Sequence, residues 1–246
     1  LSALQTYLYT AAAVRALDRA AIDGGIPGLT LMQRAGSAAW RLLRARWPAA
    51  GRIVVVCGPG NNGGDGWVVA ELARRDGLTP VVVALGDHMV LGADAAAART
   101  AALAADVAVS TSLDALAEAE VIVDGLFGIG LTREVQGEYR AAIEAMNAGA
   151  SRGVPLLALD IPSGLHADTG AVLGLAVRAT ATVTFIALKR GLVTGMAAEH
   201  VGALSVDALG TSPAIRQGIA VAARRVTART RAALLPPRAR AAHKGS

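Results

Sequence analysis

The sequence predicts an α/β fold in which helices cover both faces of a parallel sheet. Five short runs rich in β-branched residues follow one another along the chain, helical stretches separate most of them, and apolar residues occupy both faces of the runs. Strands without polar alternation are buried on both faces, and strands that alternate with helices join in parallel. The 246 residues, 53% of them hydrophobic, suffice for one sizeable core and exclude a disordered chain.

The predicted elements run from two N-terminal helices into the alternating region. Thr10 caps a helix over Ala11–Ile22 that presents one apolar face. A second helix covers Thr30–Trp47 and ends before Pro48. The predicted strands are Ile53–Cys57, Pro80–Leu85, Val121–Asp124, Leu156–Asp160 and Ala181–Ile186, and the helices between them are Gly66–Arg75, Ala93–Ala105 and Glu138–Ala150.

Charge and cysteine content exclude several classes of protein. Eight of the 24 basic residues and none of the 19 acidic ones lie from Arg216 onward, so the net charge of +5 does not predict nucleic-acid binding by the body of the chain. No apolar run approaches the roughly 18 residues of a membrane span, and residues 1–20 lack a signal-peptide pattern. Cys57 is the only cysteine, and the four histidines lack metal-ligand spacing, which favours a reducing, cytoplasmic setting without zinc.

Chemistry-bearing residues follow four of the predicted strands. Ligands of such sheets bind outside the carboxyl ends of the strands, so these segments are expected to form one site. The segments are Gly58-Pro59-Gly60-Asn61-Asn62-Gly63-Gly64-Asp65-Gly66, Asp124-Gly125-Leu126-Phe127-Gly128-Ile129-Gly130-Leu131-Thr132-Arg133-Glu134, Asp160-Ile161-Pro162-Ser163-Gly164 and Lys189-Arg190-Gly191.

The first segment matches the dinucleotide fingerprint by letter. Its glycines lie between a strand and a helix, as that motif requires, and the free N–H groups of a helix that starts at about Gly66 would face a phosphate. No Lys-Ser/Thr pair follows Gly63, which excludes a P-loop. The amides of Asn61 and Asn62 and the carboxyl group of Asp65 add oxygen atoms that a simple phosphate cradle lacks.

The other segments suggest a cation site and acid–base chemistry. The oxygen donors of Asn62, Asp124 and Ser163 suit a hard cation rather than zinc. With one carboxylate among the three, potassium fits, and magnesium remains an alternative. Arg133 stands in a glycine-flanked loop and suits a phosphate. Lys189, one of two lysines in the chain, could supply a positive charge or exchange a proton.

Together these motifs resemble the NAD(P)H-hydrate epimerase family, the YjeF-type N-terminal domain. The Asn61-Asn62-Gly63-Gly64-Asp65-Gly66 block is the most specific part, and the likeness covers residues 9–230. The resemblance also rests on Asp124–Gly130, Asp160–Gly164, Phe185–Lys189 with Gly191, Tyr9-Thr10, Leu17-Asp18, Gly25-Ile26-Pro27, Leu31-Met32 and Ala35-Gly36.

The resemblance implies a three-layer αβα Rossmann-like sandwich with a mostly parallel sheet, usually a homodimer, and an isomerase that interconverts the R and S hydrates of NADH and NADPH. A dehydratase, in cis or as a separate partner, would restore the S form. The implied substrate-binding residues are Asn61, Asn62, Gly63, Gly64, Asp65, Gly128, Ile129, Gly130, Leu131, Thr132, Arg133, Glu134, Tyr139 and Asp160. Asn62, Asp124 and Ser163 would bind potassium, Asp160 would be the main acid/base, and Lys189 would assist it. A last strand region is expected at Leu204–Pro213.

The predicted organisation is one domain over residues 1–230 and a basic, proline-containing tail over residues 231–246. The tail resembles the opening of the dehydratase domain in two-function members. Two other functions stay open. A nicotinamide-dependent dehydrogenase would use the glycine fingerprint and an acid after the second strand, for which Asp87 is the candidate. A non-catalytic nucleotide- or protein-binding module would keep the fold without turnover.

Overall fold

A seven-stranded sheet and a three-stranded sheet contain the strands of the part of the chain that the computed structural model describes, residues 3–226 and residue 231. The helices are α1 (Ala3–Thr6), α2 (Ala11–Asp23), α3 (Gly28–Arg46), α4 (Asn61–Arg75), α5 (Ala93–Ala104), α6 (Gly137–Ser151) and α7 (Ala197–His200). The strands are β1 (Tyr7–Tyr9), β2 (Arg52–Cys57), β3 (Thr79–Ala84), β4 (Ala108–Ser110), β5 (Val121–Gly125), β6 (Leu156–Leu159), β7 (Ala181–Phe185), β8 (Leu188–Lys189), β9 (Ala203–Asp207) and β10 (Ala223–Arg224).

The seven-stranded sheet is parallel throughout, with the strand order β4-β3-β2-β5-β6-β7-β9. The chain moves outward from β2 through β3 to β4, returns to the other side of β2 with β5, and continues outward through β6, β7 and β9. The strand order therefore reverses between β2 and β5. In a sheet of this kind, a crevice opens outside the carboxyl ends of the strands at the point of reversal.

Two apolar layers enclose the sheet, because alternate residues of a strand point to opposite faces. Val55 of β2 belongs to the larger core, where Leu43 of α3 and Trp67 of α4 are buried with it. Val56, the next residue of β2, belongs to a second core with Ile143 of α6. The three-layer αβα sandwich and its five predicted strand runs are confirmed.

The predicted start of α4 is wrong by five residues. The helix begins at Asn61 and not at Gly66, so the Asn-Asn-Gly-Gly-Asp block forms its first turns instead of a loop. Glycine is unfavourable in an isolated helix, which is why the sequence suggests a loop. Here the glycines are required by close packing: a methyl group at Gly63 would lie 1.9 Å from the carbonyl oxygen of Gly58, and one at Gly66 would lie 2.7 Å from Cys57 Sγ.

The edges of the fold differ more from the prediction. The last strand of the large sheet is Ala203–Asp207, at the start of the expected region Leu204–Pro213. The small sheet β10-β1-β8 was not predicted, and it makes Lys189 a strand residue instead of a residue after a strand. Among the described residues, no helix has the length and hydropathy needed to cross a bilayer. The predicted domain boundary at residue 230 and the tail from residue 232 lie outside the described residues.

Candidate active site

The strand-end segments meet around one cavity of about 670 Å³ at the carboxyl edge of the large sheet. Residues of α2 and α3 line the cavity as well. The residues of the predicted site that line the cavity are Asn61, Asn62, Asp65, Gly128, Ile129, Gly130, Leu131, Thr132, Arg133, Asp160 and Lys189. The expectation that these segments come together is therefore confirmed.

Asp160 and Lys189 form a buried ion pair at the floor of the cavity. Lys189 is 1% exposed, and its Nζ donates to Asp160 Oδ1. The same Nζ donates to Thr184 Oγ1 and to the carbonyl oxygen of Phe185, each at 2.9 Å. An ammonium group has three donors, and all three are used. Lys189 is thus fixed in place and holds the carboxylate of Asp160.

The two oxygens of Asp160 differ in their surroundings. Oδ1 accepts from Lys189 and, at 3.4 Å each, from Thr184 Oγ1 and the amide of Phe185. Oδ2 accepts no hydrogen bond from the described residues and lies 3.5 Å from the position of a methyl group at Gly128. One carboxylate oxygen is held by the protein, and the other faces the cavity.

Tight turns at two strand ends present this pair. Asp160 has φ of 63° and Ile186 has φ of 62°, a left-handed conformation that is costly for a branched residue such as isoleucine. In each turn an amide bonds the carbonyl two residues earlier, Ile161 to Leu159 at 2.7 Å and Ala187 to Phe185 at 2.6 Å. Strained residues of this kind concentrate at functional sites. Here one turn places Asp160 after β6, the other leads from β7 to Lys189, and the two side chains meet.

The predicted cation ligands lie together beneath the glycine-rich segments. Asp124 is 0% exposed; its Oδ1 accepts from Ser163 Oγ at 2.6 Å, and its Oδ2 accepts from the Ser163 amide at 2.8 Å. Asn62 Nδ2 donates to the carbonyl oxygen of Phe127 at 3.0 Å. Asn62 Oδ1 is buried without a hydrogen-bond partner among the described residues. Such an atom is expected to bind a water, a cation or a donor of a ligand, since an unsatisfied buried acceptor is costly.

The donor set fits a monovalent cation. It comprises one carboxylate, one amide oxygen, one hydroxyl and the Phe127 carbonyl, and a single carboxylate among oxygen donors suits an ion of low charge. Burial raises the pKa of Asp124 to about 6, although its hydrogen bonds from Ser163 oppose the rise. A cation beside Asp124 would favour the ionised form. The orphaned oxygen of Asn62 and the buried Asp124 are residues that could hold a cation, and potassium stays a prediction.

The first turn of α4 also faces the cavity. Its N-cap, Gly60, has no side chain to satisfy the free amides of the turn, so these amides are available to an anionic ligand. Asn61, Asn62 and Asp65 line the cavity. Gly63 and Gly64 do not: Gly63 lies against Gly58, and a methyl group at Gly64 would lie 2.6 Å from Met32. These two glycines shape the segment without lining the site.

The loop after β5 contributes Gly128–Arg133, but two further predicted binding residues, Glu134 and Tyr139, do not line the cavity. Glu134 is near Gly174. Tyr139 packs its ring against Phe127 with 5.0 Å between centroids, and burial raises the pKa of its hydroxyl. Tyr139 therefore supports the loop from behind in this structure. Asp87, the acid of the dehydrogenase alternative, accepts from the Met89 amide at 2.8 Å in its own exposed turn.

Asp18 also belongs to the site, although the sequence did not indicate it as a site residue. It is part of the Leu17-Asp18 pair on which the resemblance rests. Asp18 lines the cavity, close enough to Lys189 and Asp160 for their charges to affect it. Burial raises its pKa to about 6, the charge of Lys189 lowers it, and that of Asp160 raises it. The detectable signal is the position of this acid between Leu17 and Ala21, both buried on the same helix.

Asp65 adds a third carboxyl group to the cavity. Burial raises its pKa well above the ordinary value, and the charges of Asp160 and Asp18 add to the effect while Lys189 opposes it. Three carboxyl groups thus share the field of one ammonium group. Like charges in one site cannot all ionise easily, so the cluster is suited to hold and move protons.

A parallel α/β domain with a glycine-rich segment at its switch point and a buried acid–lysine pair in the crevice defines a class of small-molecule site with acid–base character. The chain belongs to the family described as YjeF-related protein N-terminus, whose model matches residues 28–191. That match includes every predicted catalytic and cation-binding residue.

Similar proteins extend the match. The chain is 45% identical over 242 residues to a bifunctional NAD(P)H-hydrate repair enzyme Nnr of Coxiella burnetii, covering 98% of this chain and 49% of that protein. It is 40% identical over 207 residues to an NAD(P)H-hydrate epimerase of Limosilactobacillus fermentum, covering 82% of this chain and 97% of that protein. The crystal structure of yeast ynu0 shares the fold, with a TM-score of 0.75 over 86% of this chain and 93% of that one at 19% identity. The chain thus spans about half the length of its bifunctional relative and nearly all of the shorter one.

Proposed function

We propose that this chain is an isomerase that epimerises the R and S forms of hydrated NADH and NADPH. The observation that carries the proposal is the Asp160–Lys189 pair, which leaves one carboxylate oxygen facing a cavity edged by free helix amides. The relative from Limosilactobacillus fermentum, named as an epimerase, is matched over 97% of its length. That protein contains little beyond the segment matched here.

The chemistry needs little more than proton movement. The hydrated carbon bears a hydroxyl group and a ring nitrogen, and inversion breaks one of these two bonds and restores it from the other face. Asp160 takes the role of acid/base through Oδ2, and such a group contributes about 10²–10⁴-fold to rate. Lys189 positions Asp160 by holding Oδ1, because its own three donors are already used.

The nucleotide part of the substrate would bind along the glycine-rich segments. The first-turn amides of α4 and the guanidinium of Arg133 suit its phosphates. Asn61 and the backbone of Gly128–Thr132 would contact the rest of the nucleotide part of the substrate. This arrangement uses the cavity wall that lies nearest the switch point between β2 and β5.

We infer potassium as the bound ion, held by Asn62, Asp124, Ser163 and the Phe127 carbonyl. When bound there, the ion would supply one positive charge to the buried polar groups at this end of the sheet. It would give Asn62 Oδ1 a partner and favour the ionised form of Asp124, while the hydrogen bond from Asn62 Nδ2 to the Phe127 carbonyl joins α4 to the loop after β5. A dehydratase, joined to the chain or separate, would use the S form, and we propose a cytoplasmic homodimer that binds NADH and NADPH hydrates.

A chromatographic assay tests the function. The separated R hydrate of NADH is mixed with the protein in potassium, and the S form is followed against a protein-free control. We expect conversion well above the spontaneous rate, and a lower rate when sodium replaces potassium. Folded protein that does not accelerate conversion in either salt would refute the epimerase proposal and favour a binding module. Equal rates in both salts would refute only the choice of ion.

A further inference from the structure

One face of α2 forms a wall of the cavity. Val14, Arg15, Asp18 and Ile22 line it. Asp18 is four residues from Val14 and from Ile22 and three from Arg15, and these spacings place residues on one face of a helix. Helix α2 lies beside the carboxyl edge of the large sheet, where the cavity opens. Asp18 therefore reaches the cavity from a different element than Asp160, which stands at the end of β6.

The charged groups that act on Asp18 are few. Lys189 and Asp160 face it from the sheet side, Asp65 shares the cavity from α4, and Arg15 and Arg19 belong to α2. Lys189 is hydrogen-bonded to Asp160 and to no other carboxyl group of the residues that the structure describes. Asp18 has neither a hydrogen bond nor an ion pair within the described part of the chain, and the effect of its burial exceeds the opposing effect of the Lys189 charge.

We propose that Asp18 is the second acid–base group of this site and acts on the hydrated carbon together with Asp160. The inference rests on the proposed epimerase function. It adds a group that can donate a proton while the Asp160 carboxylate accepts one. A carboxylate held by a lysine and a carboxyl group without one form a base and an acid in one cavity. Pairs of titratable groups in contrasting environments commonly divide these two tasks.

The proton balance closes if the ring opens and closes. The Asp160 carboxylate takes the proton of the hydroxyl group, the C–O bond becomes a carbonyl, the bond between carbon and ring nitrogen breaks, and Asp18 gives its proton to that nitrogen. After the aldehyde turns its other face, the nitrogen attacks it. Asp18 recovers its proton from the nitrogen, and Asp160 returns its proton to the oxygen. Both groups end as they began, and no redox partner is needed.

The test compares Asp18→Asn with Asp23→Asn, an exposed aspartate at the end of the same helix. The rate of R-to-S conversion is measured from pH 5 to pH 8 for both variants, for the wild type and for Asp65→Asn. For the wild type we expect kcat/KM to fall as the pH rises through about 6, where Asp18 loses its proton. Asp18→Asn should lower kcat about 100-fold, keep KM within about threefold and lose this limb of the profile. Asp23→Asn should match the wild type, and Asp18→Glu should recover part of the rate.

The outcomes separate this inference from the function on which it rests. Wild-type protein without activity would overturn both. An active wild type together with an Asp18→Asn variant of unchanged rate and profile would overturn the role of Asp18 alone. Loss of the alkaline limb in Asp65→Asn but not in Asp18→Asn would assign the acid to Asp65 and also overturn it.

Discussion

Lys189 Nζ holds one oxygen of Asp160, and the second oxygen of that carboxylate faces the cavity. The relation depends on two strand ends, since Asp160 follows β6 and the Thr184 and Phe185 acceptors that fix Lys189 belong to β7. Burial of a lysine without such acceptors would be costly. The end of β6 thus sets the position of Asp160, and the end of β7 fixes Lys189, which holds the Asp160 carboxylate in one orientation.

Replacement of Asp160 by asparagine should remove most activity. The change keeps the shape of the side chain but removes the group that accepts a proton, so we expect the epimerisation rate to fall by at least about 100-fold. It also leaves the Lys189 charge buried with neutral acceptors, which should lower the free energy of unfolding by about 3 kcal/mol. Initial rates and urea unfolding measure the two effects. Asp114→Asn, at an exposed turn, is the control and should change neither.

Replacement of Ser163 by alanine should weaken the cation site. Ser163 Oγ donates to Asp124 at 2.6 Å and accepts from the Phe127 amide at 2.9 Å, and the residue is 0% exposed. Loss of both contacts should cost about 1–3 kcal/mol and raise the potassium concentration needed for half-maximal rate. Thermal unfolding and a potassium titration measure these effects. Ser151→Ala removes an exposed hydroxyl that, among the described residues, donates only to the Asn147 carbonyl within α6, and it should leave both unchanged. A similar loss in the two variants would contradict the account.

Two glycines of one segment should respond differently to alanine. A methyl group at Gly63 would lie 1.9 Å from the Gly58 carbonyl oxygen, whereas one at Gly60 would have nothing within 4 Å. Gly63→Ala should therefore cost about 3 kcal/mol or more, because the obstacle is backbone, and Gly60→Ala less than about 0.5 kcal/mol. Chemical unfolding of the two variants provides the comparison. Equal stability would contradict the close packing of α4 against the end of β2.

Replacement of Asp18 by asparagine should stabilise the protein at neutral pH. Burial raises the pKa of Asp18 from 3.8 to about 6, so the folded protein binds this proton more tightly than the unfolded chain does. The wild type consequently loses stability as the pH rises from 4 to 6, and the asparagine variant does not. We expect no difference below about pH 4 and a gain of about 1–2 kcal/mol above about pH 6. A gain that is largest in acid would contradict the assignment.

Much of the fold and site could be predicted from the sequence, because apolar strand runs are unambiguous and their polar ends meet at one edge. Ile53–Cys57 and Ala181–Ile186 needed only local pattern. The start of α4 could not be predicted in this way. Gly63 and Gly64 pack so closely against Gly58 and Met32 that no side chain fits, and this packing exists only in the folded chain.

The place of Asp18 in the site could not be predicted either, because it too depends on contacts that form only in the folded chain. An aspartate on an amphipathic helix usually faces solvent, and only the packing of α2 over the sheet edge turns this one into the cavity. Lys189 was expected after a strand, yet the small sheet that contains it joins β1, β8 and β10, which are distant in sequence. Pairings of two or three residues carry too little pattern to be recognised.

The most direct test of the proposed function is the approach to equilibrium from both sides. Pure R hydrate and pure S hydrate of NADH are incubated separately with the protein in potassium, and the two forms are followed by chromatography. An epimerase brings both reactions to the same mixture, far faster than protein-free samples and without loss of total hydrate. Mixtures that stay different, or change only at the spontaneous rate, would contradict the account.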